Sequence, residues 1–333
     1  MKLEELIKGR SLFIHCSALT LLLMAGLLGT SVAADYPNKP VQIVVAYPPG
    51  GGGDTTARLV VNKVAEILGQ SVVVVNKPGG NGVIGVNSVK GAPADGYTIL
   101  VMQPSIYMAP LIIKNVPFNP QEDFTTLSVS VIAPNVIIVK NEARWRTIEE
   151  VIAEAKKNPG KVTFSLAGYG TSSHFAAELF KIQTGTNINS IPNDGFAPAL
   201  TQILGGHLDL GTPEIAGAAH SNLQSKTIRG LALMGNKRHK DFPEIPTMAE
   251  KGFSNLINAT WIGFVVRSTT LRAIIQKLEK TFQDALKDKQ VVDMFEKTGW
   301  IVENLDIEKS GDFLKKQSQS WSEVAKAANI VPK

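Results

Sequence analysis

Three short stretches of this chain combine residue types that can hold an anion through the main chain alone. They are Tyr47–Asp54 (YPPGGGGD), Pro78–Gly85 (PGGNGVIG) and Gly168–His174 (GYGTSSH). In each, an apolar run ends, glycines follow, and a helical pattern begins within a few residues. Such a loop presents several backbone N–H groups at a helix N-terminus, where the helix dipole favours negative charge. Glycine also lets a ligand approach the main chain closely. A tight turn is the plainer reading of any single loop, but three at the ends of strands point to a site, because open α/β sheets bind ligands there. Apart from Lys77 at an edge, the loops hold no Lys or Arg. Amides would therefore be assisted by the side chains of Thr171, Ser172, Ser173 and Asn81, which suits a carboxylate better than phosphoryl transfer.

Other chemistries fail on their own terms. Gly80-Asn-Gly82-Val-Ile-Gly85 spells G-x-G-x-x-G, but a dinucleotide fold wants an acid roughly 20 residues further on, and Gln103-Pro104 stands there. No G-x-x-x-x-G-K-[ST] or G-x-S-x-G occurs. Ser172, Ser173 and His174 are consecutive, so their side chains diverge and do not pair as nucleophile and base. His174 is expected to cap or pack. His207, His220 and His239 lack metal-ligand spacing, and the four tryptophans are expected in the core. No catalytic residue, cofactor or metal is expected.

The elements that must carry the loops follow from periodicity. Val41–Ala46 is a continuous β-branched run, a strand buried on both faces and suited to a parallel sheet. Ala57, Val60, Val61, Val64 and Leu68 then share one helical face, with Asp54 or Thr55 placed to cap the start and Gly69 the end. The unit repeats as Val72–Val75, a glycine loop, a short helix over Val83–Lys90, and the strand Tyr97–Met102. Val136–Lys140 leads to a capping box, Thr147-Ile-Glu-Glu150, that opens a helix ending at Asn158. Strands at Val162–Leu166, Ile188–Ile191, Leu208–Leu210 and Gly230–Met234 restart the βα rhythm, with helices from about Ser173 and Ala197. After a proline-rich passage, Trp261–Val266 and an amphipathic helix with Leu271, Ile274, Ile275, Leu278 and Phe282 on one face lead to a helical C-terminus. Alternating strands and helices predict two doubly wound α/β lobes joined by strands. The boundaries expected are residues 35–138 with 259–333 for the first lobe, and 139–258 for the second.

The N-terminus places the chain outside the cytoplasm. Lys2, Lys8 and Arg10 precede an apolar stretch and then GTSVAA, the order of a secretory signal with cleavage expected after Ala33 or Ala34. Removing 34 of 333 residues, three basic and two acidic among them, leaves 299 and moves the formal charge from +5 to +4. It also removes Cys16, the one cysteine, which suits a bacterial periplasm and excludes disulfides and thiolate catalysis from the mature chain. No basic run with interleaved aromatics occurs, so nucleic acid is excluded as a partner.

Taken together, the motifs resemble those of the extra-cytoplasmic solute receptors of tripartite tricarboxylate transporters. The marks are Tyr36-Pro37-Asn-Lys-Pro40, Pro48–Asp54 with Arg58, Asn76-Lys-Pro-Gly79 with Gly82 and Gly85, Asp95-Gly-Tyr-Thr98, Gly170-Thr-Ser-Ser-His174, Pro246-Thr247 with Glu250 and Gly252, and Trp261 with Gly263. Each is short, and their order and spacing over nearly the whole mature chain make the likeness specific. The resemblance implies a type II periplasmic-binding-protein fold, closure of two lobes on a small organic anion (a di- or tricarboxylate, an aromatic acid or an amino acid), and delivery to membrane permease subunits by a monomeric, non-enzymatic receptor. It carries ligand binding onto Tyr47, Gly53, Asp54, Gly80, Asn81, Gly82, Ser105, Gly170, Thr171, Ser172, Ser173, Asn193, Asp194 and Gly195.

One departure stands out. Where the family commonly has Pro-Tyr-Lys-Gly, this chain has Pro192-Asn-Asp-Gly195. Asp194 either faces the ligand, favouring an amine, a hydroxyl or a monocarboxylate, or merely caps the helix expected from Ala197. An orphan or sensory receptor of the same fold, or a secreted enzyme on a small carboxylate, are the alternative functions.

Overall fold

The computed structural model describes residues 36–332. The expected signal segment and its cleavage site lie outside the described residues.

The first sheet is built from β1 (Val41–Val45), β2 (Val72–Asn76), β3 (Thr98–Met102), β4 (Phe124–Pro134), β10 (Ala259–Arg267) and β11 (Ile301–Leu305), in the order β11-β4-β10-β3-β1-β2. The second holds β5 (Val136–Lys140), β6 (Thr163–Leu166), β7 (Asn189–Pro192), β8 (Leu210–Gly211) and β9 (Ile228–Leu233), in the order β7-β6-β8-β5-β9. Both sheets are mixed. β1 is parallel to β2 and β3, and β6 to β7 and β8, as the βα rhythm requires. β10 is antiparallel to β3 and β4, and β5 to β8 and β9, because the chain leaves one sheet and returns beside its own exit.

Burial explains the central strands. Val41, Ile43, Val44 and Val45 are at most 1% exposed, and each contributes about 1.5–3 kcal/mol of transfer free energy on leaving water. The tryptophans Trp145, Trp261, Trp300 and Trp321 are all buried, as expected. Helix α1 (Gly52–Leu68) buries Ala57, Val60, Val64 and Leu68, and Gly69 closes it in the left-handed region at φ 66°. Its start differs from expectation: Gly51 is the N-cap, and Asp54 lies inside the first turn. Helix α2 (Val83–Lys90) can lie on β1 because of Gly85, where a Cβ would come within 2.6 Å of the Ala46 Cα. Helix α3 (Pro104–Ile112) follows β3 directly, with Pro104 at its first position.

In the second lobe, α4 (Ile148–Lys157) has the complete capping box of Thr147 and Glu150. Helices α5 (Ser172–Thr184) and α6 (Phe196–Leu204) start from the loops after β6 and β7, and α7 (Ala218–Gln224) precedes β9. The chain returns through α8 (Arg272–Ala285), which buries Ile274, Leu278 and Phe282, then α9 (Lys289–Glu296) and α10 (Ile307–Ala327). Leu271 is 45% exposed and precedes that helix instead of lying on its apolar face.

Two strand segments join the sheets. Asn135 is the single residue between β4 and β5, and Asn258 immediately precedes β10. They are side by side, with the Asn135 N–H donating to the Asn258 carbonyl at 3.0 Å. Both side chains are buried, and Asn258 Nδ2 donates to Asn135 Oδ1 at 2.9 Å.

Candidate functional site

The loops that leave the carboxyl ends of β1, β2, β3, β6 and β7 meet between the lobes around a cavity of about 720 Å³. That is the size of a small-molecule site. Five helices begin at it. Gly52 of α1, Asn81 ahead of α2, and Pro104 and Ser105 of α3 come from the first lobe, and Ser172 of α5 and Phe196 of α6 from the second. Apart from Pro104, which has no N–H, their first residues present amides without a partner within the helix, and their dipoles add, so the cavity favours negative charge.

Side chains fix these loops in place. The Tyr47 hydroxyl donates to Ser105 Oγ at 2.8 Å, or to the Asn81 carbonyl at 3.1 Å. Burial raises the Tyr47 phenol, so it remains a neutral donor. Gln103 Nε2 donates to Ser105 Oγ at 3.2 Å, and Gln103 Oε1 lies where a Cβ on Gly53 would come within 2.8 Å. Gly79, Gly80, Asn81 and Gly82 all have positive φ, a left-handed run that glycine and asparagine tolerate best. Across the cleft, Thr171 is the N-cap of α5, Ser173 Oγ accepts from the Ala167 N–H at 2.9 Å, and Thr171 Oγ1 donates to the Gly168 carbonyl at 2.8 Å. Ser172 turns the other way, with its Oγ donating to Asn135 Oδ1 at 3.1 Å.

Of the residues expected at the site, Tyr47, Asn81, Ser105, Thr171, Ser172, Ser173, Asn193, Asp194 and Gly195 line the cavity, while Gly53, Asp54, Gly80, Gly82 and Gly170 do not. Three of the latter are engaged elsewhere. Gly82 leaves room for the Tyr47 hydroxyl, which would be 2.9 Å from its Cβ. Gly170 faces the first lobe, where a Cβ would overlap Ile112. Asp54 is 3% exposed and fully engaged, accepting from the Gly50 N–H at 2.9 Å, Asn76 Nδ2 at 2.9 Å and Arg58 Nε at 3.0 Å. Burial alone would raise its carboxyl, but Arg58, the Gly50 N–H and Asn76 outweigh burial and hold it below the usual aspartate value. Asp54 therefore ties the first loop to α1 and β2.

The Pro192–Gly195 loop resolves one of the two readings of Asp194. Helix α6 starts at Phe196 with Gly195 as N-cap and no side-chain cap, so Asp194 does not cap it. It is exposed and lines the cavity. Asn193 Nδ2 instead donates into its own lobe, to Ser165 Oγ at 3.1 Å and the Leu166 carbonyl at 3.0 Å. His174 packs within α5, its ring 4.6 Å from that of Tyr169.

Residues not singled out from sequence complete the lining. Glu214 follows the two-residue strand β8 and bridges Asn135 through its backbone, while Thr260 and Ile262 come from β10. Burial pushes the Glu214 carboxyl above the ordinary glutamate value. Among the described residues no Lys, Arg or His lines this cavity.

Comparison with known proteins places the chain. Residues 56–330 match the model of the family described as tripartite tricarboxylate transporter family receptor. Protein BugT of Bordetella pertussis is 32% identical over 307 residues, covering 91% of this chain and 93% of that one. The periplasmic binding protein BugD superposes with a TM-score of 0.79 at 30% identity, covering 90% of this chain and all of the other. An R. palustris protein solved with adipate gives 0.82 at 28% identity, also over 90% of this chain and all of its own. The two-lobed fold is thus that of the periplasmic binding proteins.

Proposed function

We propose, because this chain belongs to the tripartite tricarboxylate transporter receptor family, that it is a periplasmic receptor which captures one small organic carboxylate between its lobes and hands it to membrane permease subunits. The observation that carries this reading is the convergence of five helix starts on one cavity. A carboxylate there would accept from the free amides at the starts of α3 and α5 and from the hydroxyl of Ser173, directly or through ordered water. Tyr47, Asn81 and Ser105 would form the first-lobe jaw, and Thr171–Ser173 with Asn193–Gly195 the second. Gly53, Asp54, Gly80, Gly82 and Gly170 would shape these jaws without touching the ligand. The relative solved with adipate supports a carboxylate as the ligand class.

Binding closes the lobes, and the closed form is what a permease would recognise. A receptor of this kind returns its solute unchanged. The test is thermal-shift screening of the purified protein against carboxylates, with recovery of each ligand afterwards, and solute uptake by cells lacking the chain. Stabilisation with unaltered ligand and lost uptake is the expected result. Conversion of the ligand, or uptake that is independent of the chain, defeats the proposal. Cell fractionation and mass measurement of the mature N-terminus check export and processing near Ala33 or Ala34.

A further inference from the structure

We infer, resting on the carboxylate-receptor reading above, that the solute is a zwitterion: an amino- or quaternary-ammonium carboxylate whose cationic end lies against Glu214. The inference starts from the charges at the cavity wall. Two carboxylates line it, Glu214 and Asp194, and among the described residues no cationic side chain does. The helix starts supply enough N–H groups for one carboxylate. A second carboxylate on the ligand would have to lie within the field of one or both acids with nothing to compensate it, and in a partly desolvated cleft that repulsion is stronger than in water.

Glu214 is placed to act on a ligand. It forms no ion pair among the described residues, and it is partly buried with the cavity on its open side. Its backbone bridges Asn135 at the junction of the lobes, while Oε1 reaches across to within 4.0 Å of the position a Cβ on Gly52 would take. The carboxylate thus stands at the hinge end of the cleft, beside the start of α1. Thr260, 9% exposed, pairs with Ala133 two residues before Asn135, and its hydroxyl has no hydrogen-bond partner. An ammonium can donate to the Glu214 carboxylate, and Thr260 and Ile262 line the same cavity. Asp194, on the exposed loop before α6, keeps the opposite wall acidic.

The experiment is isothermal titration of the purified protein with ligands matched in length: succinate, butyrate and 4-aminobutyrate, then adipate, hexanoate and 6-aminohexanoate, with glycine betaine added. The amino-carboxylate or betaine is expected to bind at least about tenfold tighter than the dicarboxylate of its length. Glu214→Gln should remove most of that preference, and Asp194→Asn should reduce it less. Circular dichroism confirms the folding of each variant. If Glu214→Gln does not fold, the wild-type ligand series and Asp194→Asn still decide. Carboxylate binding with equal or stronger affinity for dicarboxylates overturns the zwitterion inference alone, as does discrimination unchanged in Glu214→Gln. Absence of binding by every carboxylate overturns the receptor reading on which it rests.

Discussion

Gly170 of the second lobe and Ile112 of the first touch so closely that a Cβ on the glycine would sit 1.9 Å from Ile112 Cδ1. The glycine also has φ 74°, where an L side chain is strained. Gly170→Ala should lower the unfolding free energy by about 1–3 kcal/mol. Ile112→Ala in the same chain should recover part of the loss, which urea unfolding of the two single variants and the double variant would measure. Equal losses with and without Ile112 would show that the contact does not matter.

The Asp54 carboxylate is a second buried anchor. Asp54→Ala removes a charged acceptor from Gly50, Asn76 and Arg58 and should cost about 1.5–3 kcal/mol. Because the folded carboxyl is held below its unfolded value, its contribution is complete above the unfolded aspartate range and disappears as pH falls through the lowered folded value. Acid titration of Tm should therefore show a shallower fall for Asp54→Ala than for the wild type.

Tyr47 links two cavity walls through one hydroxyl. Tyr47→Phe should weaken ligand binding by about tenfold and lower stability by only about 1 kcal/mol, the usual worth of a hydrogen bond. Calorimetry together with chemical unfolding separates the two effects.

On the zwitterion proposal, Glu214 links binding to pH. Its carboxyl is raised by burial, so the stability it contributes to the free protein is full below the unfolded glutamate range and is lost as pH rises through the raised folded value. Binding of an ammonium favours the ionised form, so affinity for 4-aminobutyrate should rise over that same interval, with proton release to buffer. Glu214→Gln should flatten both profiles. Titrations in buffers of different ionisation enthalpy read the proton directly.

Much of this architecture is written in local signals. Gly69 in its left-handed cap, the box of Thr147 and Glu150, and the apolar faces of α1 and α8, Leu271 excepted, depend on neighbours within a turn, and each is found where periodicity puts it. What escapes is non-local. Strand β4 runs for eleven residues, but Thr125, Thr126, Ser128 and Ser130 give it a polar look, and only pairing to β10 and β11 makes it a central strand. Glu214 follows a strand of two residues, too short for any period, and the fold alone brings it beside Gly52. Asp54 had the residue type and position of a cap, and Gly170 the look of a ligand loop. Arg58 with Asn76 claims the first, and Ile112 the second.

The buried pair at the lobe junction makes a further prediction. Asn135→Ala would remove the acceptor of the Ser172 hydroxyl and the donor to the Thr212 carbonyl, while Asn258 Nδ2 keeps Ser172 as a partner, and should cost about 1–3 kcal/mol for each group left without water or another partner. A double-mutant cycle with Asn258→Ala should give a coupling of about 0.5–3 kcal/mol, and strict additivity would show the pair to be independent.

That junction also limits how the molecule can move. The crossing strands lie edge to edge, with Ala259 opposite Pro134 and Asn135 bonded to Asn258 through both backbone and side chain. Stretching either strand alone would break a ladder that water cannot readily replace, because Asn135 and Asn258 are buried. Torsion about the shared axis disturbs it least. Rolling of the two halves about that spine is therefore the motion this junction resists least, and Ser172 is fastened to the spine.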